Sequence, residues 1–126
     1  MVLYPNIKPS HITLMAILKI ARMGHPVLKG RAKDVADPTA SEVQKLIRDM
    51  RETMADAGGV GLAAPQVHVP LRLVIFQIPA TRLRQDPEER EELVEQILIN
   101  PLIQPRSEEL EVGWEGCLSV PELRGA

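Results

Sequence analysis

Cys117 is the only cysteine in the 126-residue chain, so it cannot form a disulfide within the chain. Its thiol permits three interpretations: a buried structural group, a nucleophile activated by a nearby histidine, or a soft ligand for a metal ion. For a single cysteine of this kind, the buried structural thiol is the most frequent of the three. The two reactive interpretations depend on which other residues can reach Cys117.

The three histidines of the sequence test both reactive interpretations. His11, His25 and His68 are far apart, and no two have the i, i+4 spacing that places two imidazoles on one helical face. His25 lies between a glycine and a proline and His68 between two valines, which is typical of turn or surface residues. The sequence therefore supplies one soft ligand, with no motif that identifies a second ligand or a base.

A second unusual stretch is GVGLAAPQ, residues 59–66. Gly59 and Gly61 allow backbone conformations and close approaches that other residues resist. No Gly-Lys-Ser/Thr follows them, so the stretch is not a phosphate-binding loop, and the glycine spacing of dinucleotide-binding folds is incomplete. By itself, the stretch predicts a tight turn before a strand.

Hydrophobic patterning predicts the elements that must position these stretches. Residues 41–57 are predicted to form an amphipathic helix that ends at two glycines, and residues 14–23 have a weaker helical pattern. Strands are predicted over 71–78, 96–103 and 110–120, and the charged residues 81–95 predict a solvated loop or short helix. The fold class is therefore α+β, with mixed or antiparallel strands packed on a helix. The apolar face of the main helix is predicted to contain Val43, Leu46, Ile47, Met50 and Met54.

Composition limits the classes of function. Hydrophobic residues make up 44% of the chain and charged residues 25%, which indicates a folded domain. The formal net charge of −2 and the absence of an evident basic patch give little support to nucleic-acid binding. No apolar run approaches the roughly 20 residues that span a bilayer, and no secretory signal is evident. We expect an irregular leader over 1–13 and one domain over 14–126, in the cytoplasm.

Taken together, GVGLAAPQ at 59–66 and EGCLS at 115–119 resemble the first two signature motifs of the peptide deformylases, in the same order and at a fitting separation. The resemblance extends through ILKIARMGHPVLKGRA, INP at 99–101 and GWEGCLSVPELRG at 113–125. It implies the deformylase fold and removal of the formyl group from the N-terminal formyl-methionine of newly made proteins. The implied partners are N-formyl-methionyl peptides near the ribosome in the bacterial cytoplasm, without direct nucleic-acid or membrane binding.

The resemblance also implies a role for individual residues. Cys117 is expected to be the thiolate ligand of one divalent metal ion, Fe²⁺ in the first place, with Zn²⁺, Ni²⁺ or Co²⁺ as substitutes. The side-chain amide of Gln66 and the backbone N–H of Leu118 are the expected catalytic donors to the developing oxyanion. The expected substrate-binding residues are Val60, Gly61, Gly116 and Arg124.

One family motif does not occur in this sequence: the HExxH helix, which supplies two histidine ligands and the glutamate general acid and base. We therefore expect a partial deformylase domain that lacks the C-terminal metal-ligand helix, equivalent to the N-terminal two-thirds of a deformylase. We expect this truncated chain to be inactive alone. Two alternatives stay open at this stage: a non-catalytic peptide-binding relative, and a thiol enzyme that acts through Cys117 directly.

Overall fold

The computed structural model describes residues 16–79 and 93–125, and this part of the chain contains one α-helix and two antiparallel sheets. Strands β1, β2 and β3 form a three-stranded sheet in that order, and β4 and β5 form a hairpin. This confirms the predicted α+β class. In chain order the elements are a 3-10 turn Pro26–Leu28, helix α1 Ser41–Asp56, β1 Gly61–Ala63, a second 3-10 turn Ala64–Val67, β2 Leu73–Pro79, β3 Leu93–Ile99, β4 Glu115–Cys117 and β5 Val120–Gly125.

Helix α1 packs its apolar face on β1 and β2 to form the core. It ends at Asp56, one residue before the predicted end, because Ala57 is the C-cap and Gly58 follows with a φ of 66°. Four of the five predicted face residues are buried, and Leu46 is partly buried against the core. Leu62, Leu73 and Ile75 from the sheet are fully buried against this face.

Strands β2 and β3 pair along their whole length. The predicted strand 71–78 is confirmed as Leu73–Pro79, but the predicted strand 96–103 is Leu93–Ile99 instead. It ends there because Asn100 has a φ of 52°, which turns the chain out of the sheet before Pro101. The predicted loop or helix at 81–95 is wrong for residues 93–95, which belong to β3, and residues 81–92 lie outside the described residues.

Two further sequence predictions need correction. Residues 110–114 belong to no strand, so the predicted strand 110–120 is a hairpin that starts at Glu115 and continues to Gly125. Residues 16–23, called the leading segment below, are not helical. Residues 1–15, which include the predicted leader, lie outside the described residues.

Long-range hydrogen bonds explain why the leading segment is not a helix. The Ala16 N–H donates to Asp49 Oδ1 at 2.8 Å, and the Leu18 N–H donates to Thr53 Oγ1 at 2.8 Å. Asp49 and Thr53 are polar residues on the buried face of α1. Because these backbone donors bond to another element, they are not available for helical i, i−4 bonds.

In the described ranges 16–79 and 93–125, no helix combines the length and the apolar composition that crossing a membrane requires.

Candidate functional site

The two motif stretches meet across a cleft of about 600 Å³. Residues 58–61 and Gln66 line it from the side of α1 and β1, and residues 116–118 and 122–124 line it from the β4–β5 hairpin. All seven predicted site residues contribute to this lining: Val60, Gly61, Gln66, Gly116, Cys117, Leu118 and Arg124. The fold thus brings together residues that are as much as half the chain apart in sequence.

A short turn fixes the place of Gln66. Pro65 is the second residue of the 3-10 turn Ala64–Val67. A backbone N–H at the start of such a turn has no partner within the turn, so a proline there loses no hydrogen bond. The turn ends at His68, whose left-handed φ of 66° redirects the chain toward β2. The predicted tight turn is therefore a 3-10 turn, which follows the short strand β1.

The side-chain amide of Gln66 has a defined orientation. Its Oε1 accepts a hydrogen bond from the Ala63 N–H at 3.0 Å, and only the amide oxygen can accept there, which identifies the other amide atom as Nε2. Nε2 lies 3.1 Å from Ser119 Oγ and 3.7 Å from Cys117 Sγ. The amide therefore directs its N–H groups toward the hairpin and the thiol.

Cys117 lies at the end of β4 and is exposed. The β4–β5 register shifts between Gly116 and Cys117, so that Cys117 pairs with Val120 only three residues later. Such irregularities re-aim a side chain out of the regular alternation of a strand. The interpretation of Cys117 as a buried structural thiol is therefore wrong.

Gly59 allows the two sides of the cleft to approach closely. A Cβ atom added at Gly59 would lie 2.6 Å from Leu118 Cδ1, nearer than real Cβ contacts come. The Leu118 side chain thus packs directly on the glycine backbone. A side chain at position 59 would therefore require Leu118 to move.

Ser119 is a site residue that the sequence analysis missed, although its position within EGCLS was a signal for it. Its side chain is buried and receives the hydrogen bond from Gln66. Its carbonyl oxygen accepts from the Met23 N–H at 2.9 Å, and the Gln66 carbonyl oxygen accepts from the Ala21 N–H at 2.6 Å. The leading segment therefore bonds to the backbones of both motifs.

Glu122 also lines the cleft and was not predicted. It has a φ of 67°, in the left-handed region that an ordinary side chain rarely adopts. The Arg124 guanidinium, on the same strand, lies close to Gly116: its Nη1 is 3.8 Å from where a Cβ of Gly116 would be. The cleft therefore holds one carboxylate and one guanidinium on the hairpin side.

Within the described residues, no group of three or more His, Cys, Asp or Glu side chains could hold a metal ion. His25 and His68 are exposed, as expected for turn or surface residues, and their rings contact each other edge to face with centroids 4.6 Å apart. They line a separate pocket, and His11 lies outside the described residues. The described residues thus bring the Cys117 thiol to the cleft without the further ligands of a tetrahedral site.

The chain is similar to known proteins over most of its length. A family model described as "Polypeptide deformylase" matches residues 17–126. A curated peptide deformylase of Pseudomonas putida is 55% identical over 86 residues, which are 68% of this chain and 47% of the relative. One from Bordetella pertussis is 50% identical over 106 residues, covering 84% of this chain and 58% of the relative. The chain therefore spans about half to three-fifths of the length of these curated relatives.

Solved structures show the same similarity. A class I type b peptide deformylase from Acinetobacter baumannii, with Met-Ala-Ser bound, superposes with a TM-score of 0.69 at 35% identity, covering 87% of this chain and 69% of that chain. A peptide deformylase from Synechococcus elongatus, in complex with actinonin, gives a TM-score of 0.68 at 34% identity, covering 85% and 51%.

Proposed function

Because the chain belongs to the polypeptide deformylase family, we propose that its whole protein is a metal-dependent peptide deformylase. The reaction is hydrolysis of the N-formyl group from the N-terminal formyl-methionine of newly made proteins. The observation that carries the proposal is that two distant motifs line one cleft, in which the Gln66 amide is directed at the Cys117 thiol. We place the activity in the bacterial cytoplasm near the ribosome, where such N-termini are made.

Cys117 is the proposed thiolate ligand of a divalent metal ion, Fe²⁺ or in its place Zn²⁺, Ni²⁺ or Co²⁺. When bound, such an ion makes a water molecule nucleophilic near neutral pH. The exposure of the thiol supports this role, since a ligand must be accessible to the ion. The described residues alone do not complete a site, so the proposal requires additional ligands.

Gln66 is the proposed side-chain donor to the oxyanion that develops on the formyl carbonyl. Its amide is neutral and directs Nε2 toward the reacting position beside Cys117, so it stabilises charge without binding the metal. The backbone N–H of Leu118, the next residue along the hairpin, is the proposed second donor. Both groups are held on the protein before the substrate arrives, which is the condition under which such donors are effective.

Val60, Gly61 and Gly116 are the proposed peptide-binding residues. Strand β1, which contains Gly61, is an edge strand of the three-stranded sheet. An extended peptide can add to such an edge and form backbone hydrogen bonds, here between β1 and the hairpin strand that contains Gly116. Val60, the residue before this edge strand, is 70% exposed, and the Arg124 guanidinium lies near Gly116.

The first experiment compares Gln66→Ala with Gln44→Ala, in which an exposed glutamine of the first turn of α1, outside the cleft lining, is truncated. We expect Gln66→Ala to lower turnover of a formyl-Met peptide by about 100- to 1000-fold, with the metal content unchanged. Gln44→Ala should behave as the unaltered protein. Normal turnover of a fully metal-loaded Gln66→Ala protein would remove Gln66 from the mechanism.

The second experiment tests the metal and the two alternatives. Cys117→Ser should lower metal content, because a serine hydroxyl stays protonated near neutral pH and is a poor ligand. Residues 1–126 alone should show neither stoichiometric metal nor turnover. Turnover that survives complete metal removal but stops on alkylation of Cys117 would instead favour the thiol enzyme. Peptide binding without turnover in the metal-loaded whole protein would favour the non-catalytic relative.

A further inference from the structure

The Gln66 amide carries two Nε2 hydrogens, and they have different surroundings. One faces the Ser119 hydroxyl oxygen at an ordinary hydrogen-bond distance of 3.1 Å. The other amide contact, to Cys117 Sγ, is longer at 3.7 Å, and thiol sulfur is a weak acceptor. One hydrogen is therefore held firmly, while the other remains available to a stronger acceptor that enters beside the thiol.

Ser119 is itself held in place. Its side chain is buried, and its carbonyl oxygen is bonded to the Met23 N–H. The Gln66 carbonyl oxygen is bonded to the Ala21 N–H, two residues earlier on the same leading segment. Because one short segment holds both backbones, the distance between the Ser119 hydroxyl and the Gln66 amide is fixed before any substrate arrives.

We propose that Ser119 is a positioning residue, whose hydroxyl accepts one Gln66 Nε2 hydrogen and thereby directs the other at the reacting oxygen. This inference rests on the proposed oxyanion role of Gln66. Ala63 restrains the amide oxygen, but that single bond leaves the amide plane free to tilt about it. The Ser119 bond removes that freedom, so its loss should reduce kcat while leaving KM unchanged. A reduction of about 10- to 100-fold is the scale expected for a misdirected catalytic group.

The decisive measurement is hydrogen–deuterium exchange of glutamine side-chain amides by NMR, on the whole protein. Gln104 is the internal reference, because its side chain is exposed to solvent. We expect one Gln66 Nε2 hydrogen to exchange about fivefold more slowly than those of Gln104, which is the factor that one ordinary hydrogen bond supplies. Ser119→Ala should abolish this protection, and Ser119→Thr, which keeps the hydroxyl, should retain it.

Ser107→Ala is the matched control, since Ser107 is an exposed serine that does not line the cleft. It should change neither the exchange rate nor kcat. Equal exchange of the Gln66 and Gln104 side-chain amides in the unaltered protein would overturn the proposal, even if Ser119→Ala failed to fold. An unchanged kcat in Ser119→Ala, together with an inactive Gln66→Ala, would also overturn the proposal. Absence of deformylase turnover in the unaltered protein would refute the proposed function, while the exchange data would still decide whether Ser119 holds the amide.

Discussion

Substitution of Asn100 tests how the end of β3 is attached to the rest of the fold. Asn100 Oδ1 accepts from the Val35 N–H at 2.7 Å, and Asn100 Nδ2 donates to the Val35 carbonyl oxygen at 3.0 Å. Val35 is buried, so its backbone groups have little access to water if the side chain is removed. Asn100 also has a left-handed φ of 52°, which asparagine tolerates better than alanine does.

The magnitude follows from these two features. Loss of two hydrogen bonds at roughly 1 kcal/mol each gives about 2 kcal/mol. Alanine adds a left-handed strain of about 1 kcal/mol, so Asn100→Ala should cost about 3 kcal/mol in total. Asn100→Gly loses the same hydrogen bonds without the strain. Its greater unfolded-state entropy offsets part of that relief, so it should be more stable than Asn100→Ala by about 0.5 kcal/mol.

The assay is equilibrium urea unfolding of the unaltered protein and the two variants, with the slopes compared to confirm one transition. Gln104→Ala, an exposed amide truncated in the loop that follows, is the control and should stay within about 0.5 kcal/mol of the unaltered protein. If Asn100→Gly unfolded at the same midpoint as the unaltered protein, the two hydrogen bonds to Val35 would have no net effect. If Asn100→Ala were more stable than Asn100→Gly, the argument from backbone strain would be wrong.

Two further predictions concern the core and the cleft. Met50→Ala should lower the free energy of unfolding by about 2–5 kcal/mol, because Met50 is fully buried. The control Met23→Ala, at a residue that is 72% exposed, should change this free energy by less than about 0.5 kcal/mol. Gly59→Ala should lower the free energy of unfolding by about 1–3 kcal/mol, since the new Cβ would force Leu118 to move. The control Gly30→Ala should be nearly neutral, because a Cβ there meets nothing within 4 Å. Thermal unfolding of all four variants measures these differences.

Helix α1 could be predicted from the sequence because its signals are local. The apolar residues recur at helical spacing over the whole element, and Gly58 marks its end. The leading segment has a similar short apolar pattern, yet it is not helical. Its Ala16 and Leu18 N–H groups bond to Asp49 and Thr53, more than thirty residues away, which no local pattern reveals.

The residues of the candidate site also divide into those that local sequence signals reveal and those that only long-range contacts reveal. Cys117 and Gln66 could be singled out because each lies in a motif with unusual residue types. Ser119 lies in EGCLS as well, but its role becomes evident only when its partner Gln66 is known, and the left-handed φ of Glu122 is invisible in the sequence. The left-handed φ of Asn100 is equally invisible in the sequence, which is why the predicted strand 96–103 extends past the turn at this residue.

The bonds from the leading segment to the site have a consequence for the substitutions that this region can tolerate. The Ala21 and Met23 bonds to Gln66 and Ser119 use only backbone N–H groups, so almost any side chain at position 23 leaves them intact. Position 21 is restricted by burial but not by its bond. Proline is the exception at both positions, because it has no N–H to donate. We therefore expect related sequences to vary freely at position 23, as at an ordinary surface position, although its backbone N–H supports one side of the cleft.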